Sequence, residues 1–109
     1  MEDNEKVLED IKIYIAYLKE NFERAESYFN MILKNHGIKE NELKINYLKD
    51  LLEFVRQKIF NENEINYNIA TIKDNYNCVI INYLDWCNQE LNYIFNFLEK
   101  EFKITLIKA

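Results

Sequence analysis

The chain has 109 residues, 14 Lys and Arg against 19 Asp and Glu, a net charge of −5, one Gly, no Pro and two Cys. That length makes a single domain, residues 1–109, which buries roughly two-thirds of its unfolded surface and needs no metal or disulfide to hold a core. The scarcity of Gly and Pro removes the punctuation that hairpins, sandwiches and phosphate loops require, and bases never outnumber acids in any third of the chain, which disfavours a nucleic-acid partner.

Helical periodicity starts at once. Val7, Ile11, Tyr14, Leu18, Phe22, Ala25, Phe29 and Ile32 recur at intervals of three and four, one apolar stripe on one long helix. Val7, Leu18 and Phe29 repeat every 11 residues, which predicts a nearly straight helix rather than a left-handed supercoil. The only glycine, Gly37, suits the left-handed position after the helix, where Leu33 and Ile38 would touch in a Schellman cap and His36 would complement the helix dipole.

A second helix is predicted from Asn41, with Ile45, Leu48, Leu52, Val55 and Ile59 on its buried face and Leu51 and Phe54 widening it. It stops near Asn61, where Asn61 and Glu64 have capping-box spacing and Phe60 and Ile65 take the flanking apolar positions. So tight a turn predicts antiparallel packing of the next segment on the second helix.

The third segment continues the pattern through Ile65, Ile69, Ile72, Tyr76, Ile80, Tyr83, Cys87, Leu91, Ile94, Leu98 and Phe102. Unbroken from Glu62 to Phe102 it would be on the order of 60 Å long, too long for a compact globule of this mass. The fold expected is all-α, an elongated antiparallel bundle of three long helices, with a bend near Asp74–Asn77 that makes a fourth as the alternative. The tail from Lys103 to Ala109 alternates weakly and is expected to fray.

Catalytic patterns are missing. One histidine excludes two-histidine zinc or di-iron sites, the sole serine, Ser27, has no elbow glycines around it, and one glycine builds no nucleotide loop. Glu20, Glu23, Glu26, Glu99 and Glu101 read as solvated faces partnered by Lys19, Arg24 or Lys103. Cys78 and Cys87 stand nine residues apart, on opposite sides of one helix, so they cannot bridge within it and read as reduced core thiols. No catalytic residue, cofactor or metal is expected.

One stretch stands out. Between Asp74 and Glu99 lie 24 residues whose only charges are Asp85 and Glu90. On a helical wheel the main stripe spans about 100°, and Val79, Trp86, Tyr93 and Phe97 form a second apolar ridge beside it. Either this helix is central and touches both others, or the ridge is a protein interface, where aromatics concentrate and charges are depleted.

The expected function is that of a non-enzymatic protein-binding module using this ridge, toward a target protein or as a homodimer. Two alternatives are a purely structural self-assembling bundle and an acidic nucleic-acid mimic built on Glu20, Glu23 and Glu26. Asn, Ile, Lys, Tyr and Phe make up 58 of the 109 residues with only two Arg. This style fits an AT-rich genome, phage or mobile element, where small inhibitors, immunity proteins and adaptors are common settings. The acidic start and the lack of a membrane-length apolar run predict a cytoplasmic protein without a membrane span.

Overall fold

The computed structural model describes residues 4–35, 39–70 and 79–106. The helices are α1 (Asn4–Asn35), α2 (Glu42–Ile59), α3 (Glu62–Ala70) and α4 (Val79–Phe102), with a short 3-10 turn, Lys39–Asn41, leading into α2. No strand occurs among the described residues. The molecule measures 56 × 23 × 17 Å with a radius of gyration of 16.3 Å, against about 13 Å for a compact domain of this length. It is an elongated all-α bundle, its length set by α1, whose 32 residues span about 48 Å.

The α1 stripe folds as its periodicity dictates: Ile11, Leu18, Phe22, Ala25, Phe29 and Ile32 are all buried, with Val7 and Tyr14 packed at the margin. On α2, Ile45, Leu48, Leu52, Val55 and Ile59 are buried. These two helices run antiparallel, because Phe22 meets Phe60 while Glu26 pairs with Arg56. α2 is likewise antiparallel to α4, since Lys44 pairs with Glu101 at one end and the Tyr83 hydroxyl donates to the Lys58 carbonyl at the other, 2.6 Å away. α2 therefore has two antiparallel neighbours, α1 and α4, and the short α3 lies mainly against α4.

The reading of residues 62–102 as one unbroken rod is corrected. Glu64 and Tyr83 would stand about 28 Å apart on a continuous helix, yet they line the same cleft with Phe54, Lys58 and Trp86. The chain doubles back between α3 and α4. The position expected for the bend, Asp74–Asn77, lies outside the described residues, as do His36, Gly37 and Ile38 of the expected cap, together with Ile72, Tyr76 and Cys78.

Asn61 caps α3, with the Glu64 side chain meeting the Asn61 amide where a full capping box would meet its backbone N–H. Asn61 Oδ1 accepts from the Glu64 backbone N–H at 3.1 Å, and Asn61 Nδ2 donates to Glu64 Oε2 at 3.4 Å. Phe60 packs edge-on against Phe22 under the Lys19 ammonium. Replacing Asn61 with Ala is expected to cost about 1 kcal/mol, read as a lower denaturant midpoint; an unchanged midpoint would mean that the cap contributes nothing. Asn41 stands at the N-cap of α2, as its sequence position predicts, without a side-chain capping bond.

At the other end α4 stops at Phe102, where Lys103 takes the left-handed backbone conformation with φ of 52°, the geometry that closes a helix. The tail then returns to the body. Ile104 and Leu106 pack against the core, so the expected fraying does not reach them.

Charge pairs decorate the joints. Arg24 holds Glu20 at 3.5 Å one turn away, and Arg56 bridges Glu26 and Glu53. Glu101 pairs with Lys44 of α2 across the bundle instead of the expected neighbour Lys103. Exposed pairs of this kind each add about 1 kcal/mol or less; the buried apolar side chains, worth about 1.5–3 kcal/mol each, hold the bundle together. Among the described residues no helix is long and apolar enough to cross a membrane.

Candidate functional site

Along α4, the stripe from Ile80 through Leu84, Cys87, Leu91, Ile94 and Leu98 faces the core and is buried. The predicted ridge lies on one flank of that stripe, and α2 lies along it. Trp86 is half-buried and meets Phe54 of α2 edge-on at 5.4 Å between ring centroids. Phe97, also half-buried, lies 5.3 Å from Tyr47 of α2 and 6.4 Å from Tyr93. The Tyr47 and Tyr93 hydroxyls share a hydrogen bond of 3.0 Å. The fourth ridge residue, Val79, begins α4, and its side chain is outside the described residues.

The second helix therefore meets the ridge without closing over it. Tyr93 remains 46% exposed, and the α2 rings that touch the ridge are themselves open, Tyr47 by 45% and Phe54 by 47%. Phe54, expected to widen the buried face of α2, sits instead on its rim. Leu43, one turn before Tyr47, is 86% exposed and extends the apolar strip. The candidate surface is thus an aromatic seam shared by two antiparallel helices. Leu43, Tyr47 and Phe54 are the members that the reading of α4 by itself did not supply. Their 4- and 7-residue spacing marks a second stripe on α2, beside the buried one, and that is the signal that could have found them.

Ion pairs bound the seam at its ends. Lys44 holds Glu101 at 3.0 Å, and Lys58 reaches Glu64 at 3.9 Å while lying 5.9 Å over the Phe54 ring. A cleft of about 310 Å³ opens at the Phe54 and Trp86 end, and one of about 300 Å³ beside Tyr93 and Phe97. Of the two acids in the charge-poor stretch, Asp85 is taken up by α1, where the Tyr14 hydroxyl donates to it at 2.7 Å. Burial and this bond push the Tyr14 hydroxyl well above the ordinary phenol range. Tyr83 is pushed up in the same way, by burial first and then by Glu64. The hydrogen bond with Tyr93 raises Tyr47 above the ordinary phenol value, with burial, Tyr93 and Glu90 adding.

Beneath the seam, Cys87 is a free, buried thiol. Burial pushes it up from 9.0 to about 11, with Lys58 opposing and Glu64 and Glu90 adding. Between pH 9 and 11 the folded chain keeps a proton that the unfolded chain has released, so this contribution to stability is complete below pH 9 and falls as pH rises. The expected loss, on the order of 2–3 kcal/mol across that interval, is read by denaturant titration at several pH values. A Cys87→Ala chain is expected to be less stable throughout but to lack this part of the slope; an equal slope in both chains would refute the assignment.

The other acidic candidates lie apart from the seam. Glu20 and Glu23 border a shallow, open depression on α1 with Arg24, Ser27 and Tyr28, and the Arg24–Glu20 pair places a positive charge inside it, which weakens a phosphate-like field. Among the described residues no group of three or more His, Cys, Asp or Glu side chains converges as a metal site requires. Comparison with protein families, with curated proteins and with solved structures finds no match to this chain.

Proposed function

We propose that this chain is a non-enzymatic protein-binding module that docks a partner on the aromatic seam between α2 and α4, in the manner of a small inhibitor, immunity protein or adaptor. One observation carries the reading: Tyr47, Phe54 and Tyr93 stand nearly half exposed along one strip, with Trp86 and Phe97 wedged between them. A monomer keeps such rings in water at a cost, since each carries a large apolar area. Contiguous aromatic surface rimmed by ion pairs is characteristic of interface cores, where tyrosine and tryptophan are the usual anchors. The free Cys87 thiol suits work in a reducing compartment such as the cytoplasm.

Self-assembly is the competing reading, and the exposed Ile13 and Tyr17 on α1 give it a second apolar patch to use. The test uses immobilised chain in extract of cells that express it, comparing the native sequence with a Trp86→Ala, Tyr93→Ala double variant of verified helicity. A discrete protein retained by the native chain and lost from the double variant supports docking on the seam. Equal retention by both places the interaction elsewhere. A native chain that retains nothing and elutes as a stable dimer by light scattering supports self-assembly.

A further inference from the structure

The tail that follows α4 ties one end of the seam to the core. α4 stops at Phe102 although no Gly or Pro stands in residues 103–109, and Lys103 is the one non-glycine residue with positive φ among the described residues. A side chain in that left-handed region crowds the carbonyl that follows it, at a cost that glycine avoids. Such a conformation persists where the surrounding packing requires it. Here the packing is that of Ile104 and Leu106, which lie half-buried against the core on either side of the exposed Thr105, the alternation of an extended segment with one face inward. The last turn of α4 also carries the contacts at the Tyr47 end of the seam. Glu101 pairs with Lys44 of α2 at 3.0 Å. The buried Phe102 meets Phe97 edge-on at 6.3 Å between ring centroids, and Phe97 in turn lies against both Tyr47 and Tyr93. Four residues reach at most about 14 Å, so residues 103–106 stay near this end, while Trp86 is about 24 Å back along α4 from Phe102.

We infer that residues 103–106 are a latch on the seam. Docked, Ile104 and Leu106 fix the last turn of α4 and with it the end where Tyr47, Phe97 and Tyr93 meet; released, they let that end loosen while the Phe54 and Trp86 end stays as it is. The balance of forces makes the latch separable. Two half-buried side chains work against an unfavourable backbone reversal, whereas the rest of α4 is held by a continuous buried stripe from Ile80 to Leu98, so the tail opens before the bundle does. A helix end that loses its tertiary contacts frays, because its final carbonyls have no partner further along the helix. The seam then has one fixed end and one switchable end, a property that stands whether or not the partner proposed above docks there.

Amide hydrogen exchange on the full-length chain at neutral pH is the test. An Ile104→Ser, Leu106→Ser chain is expected to exchange at least about tenfold faster than the native chain at residues 99–102 and 46–49, and within about twofold of it at residues 54–58 and 84–88. Lys103→Gly removes the crowding and keeps the turn, so it is expected to slow exchange about fivefold at residues 99–102. This second chain keeps every core side chain, so its reading does not depend on the serine chain folding. Unchanged exchange at residues 99–102 in the serine chain would mean that the tail holds nothing and would overturn the latch. Acceleration of equal size along all four helices would make Ile104 and Leu106 ordinary core residues and overturn it too, as would a Lys103→Gly chain that exchanges at residues 99–102 no more slowly than the native one.

Discussion

Leu48→Ala is expected to lower the unfolding free energy by about 3 kcal/mol, measured by urea titration at neutral pH. Leu48 is 0% exposed at the middle of α2, in the cluster where α1, α2 and α4 all contribute side chains. Truncation there removes buried area and leaves a cavity that three rigid helices cannot close. A domain of this kind has on the order of 5–15 kcal/mol in total, so the loss is a large share. Leu43, five residues earlier on the same helix and 86% exposed, is the control: Leu43→Ala is expected to stay within about 0.5 kcal/mol. Equal effects at the two positions would contradict the assigned face of α2.

The second large effect concerns binding. The Trp86→Ala, Tyr93→Ala chain is expected to lose at least about 30-fold in affinity for the seam's partner while retaining its helical content, because even one aromatic anchor at the centre of an interface contributes about 2 kcal/mol or more. Its stability should fall by about 1–2 kcal/mol, since Trp86 is half-buried against Phe54 and Tyr93 is open. Calorimetry or surface binding with the purified partner reads the first quantity and thermal melting the second. Collapse of the helical signal would make these rings part of the core; full affinity with full helicity would remove them from the interface.

How much of this could be read before any coordinates depends on the range of the interaction concerned. The spacing from Ile11 to Ile32 and from Ile45 to Ile59 marked the buried faces of α1 and α2, because a helix's own periodicity decides which side is greasy. The Asn61 and Glu64 cap was equally visible, being a contact over three residues. What escaped depended on neighbours. Phe54 looked buried because it lies next to Leu51 on the wheel, but a residue at the edge of a stripe is covered only where a second helix overlies it, and α4 stops short of closing over that rim. Leu84 and Phe95 lie at the far edge of the α4 stripe and are buried because the bundle wraps that side.

The doubling back between α3 and α4 was read only as the alternative, a bend near Asp74–Asn77, for a related reason. No Gly or Pro interrupts residues 62–102, and Ile65 and Ile69, which continue the helical spacing, pack with the core, so no local breaker marks the bend in the sequence. The ridge of Trp86, Tyr93 and Phe97 was legible on α4 by its lack of charge. Its other half, on α2, required the antiparallel register. No pattern within one helix carries that information.

Site-specific photo-crosslinking in expressing cells tests most directly whether another protein occupies the seam between α2 and α4. A benzophenone side chain is placed at Tyr93 in one chain and at Glu9, exposed on α1, in another. A single discrete adduct to a different protein from position 93, absent from position 9 and abolished by Phe54→Ala in the same chain, is the result predicted. Adducts of equal yield from both positions, or none from position 93 while position 9 reacts, would contradict it.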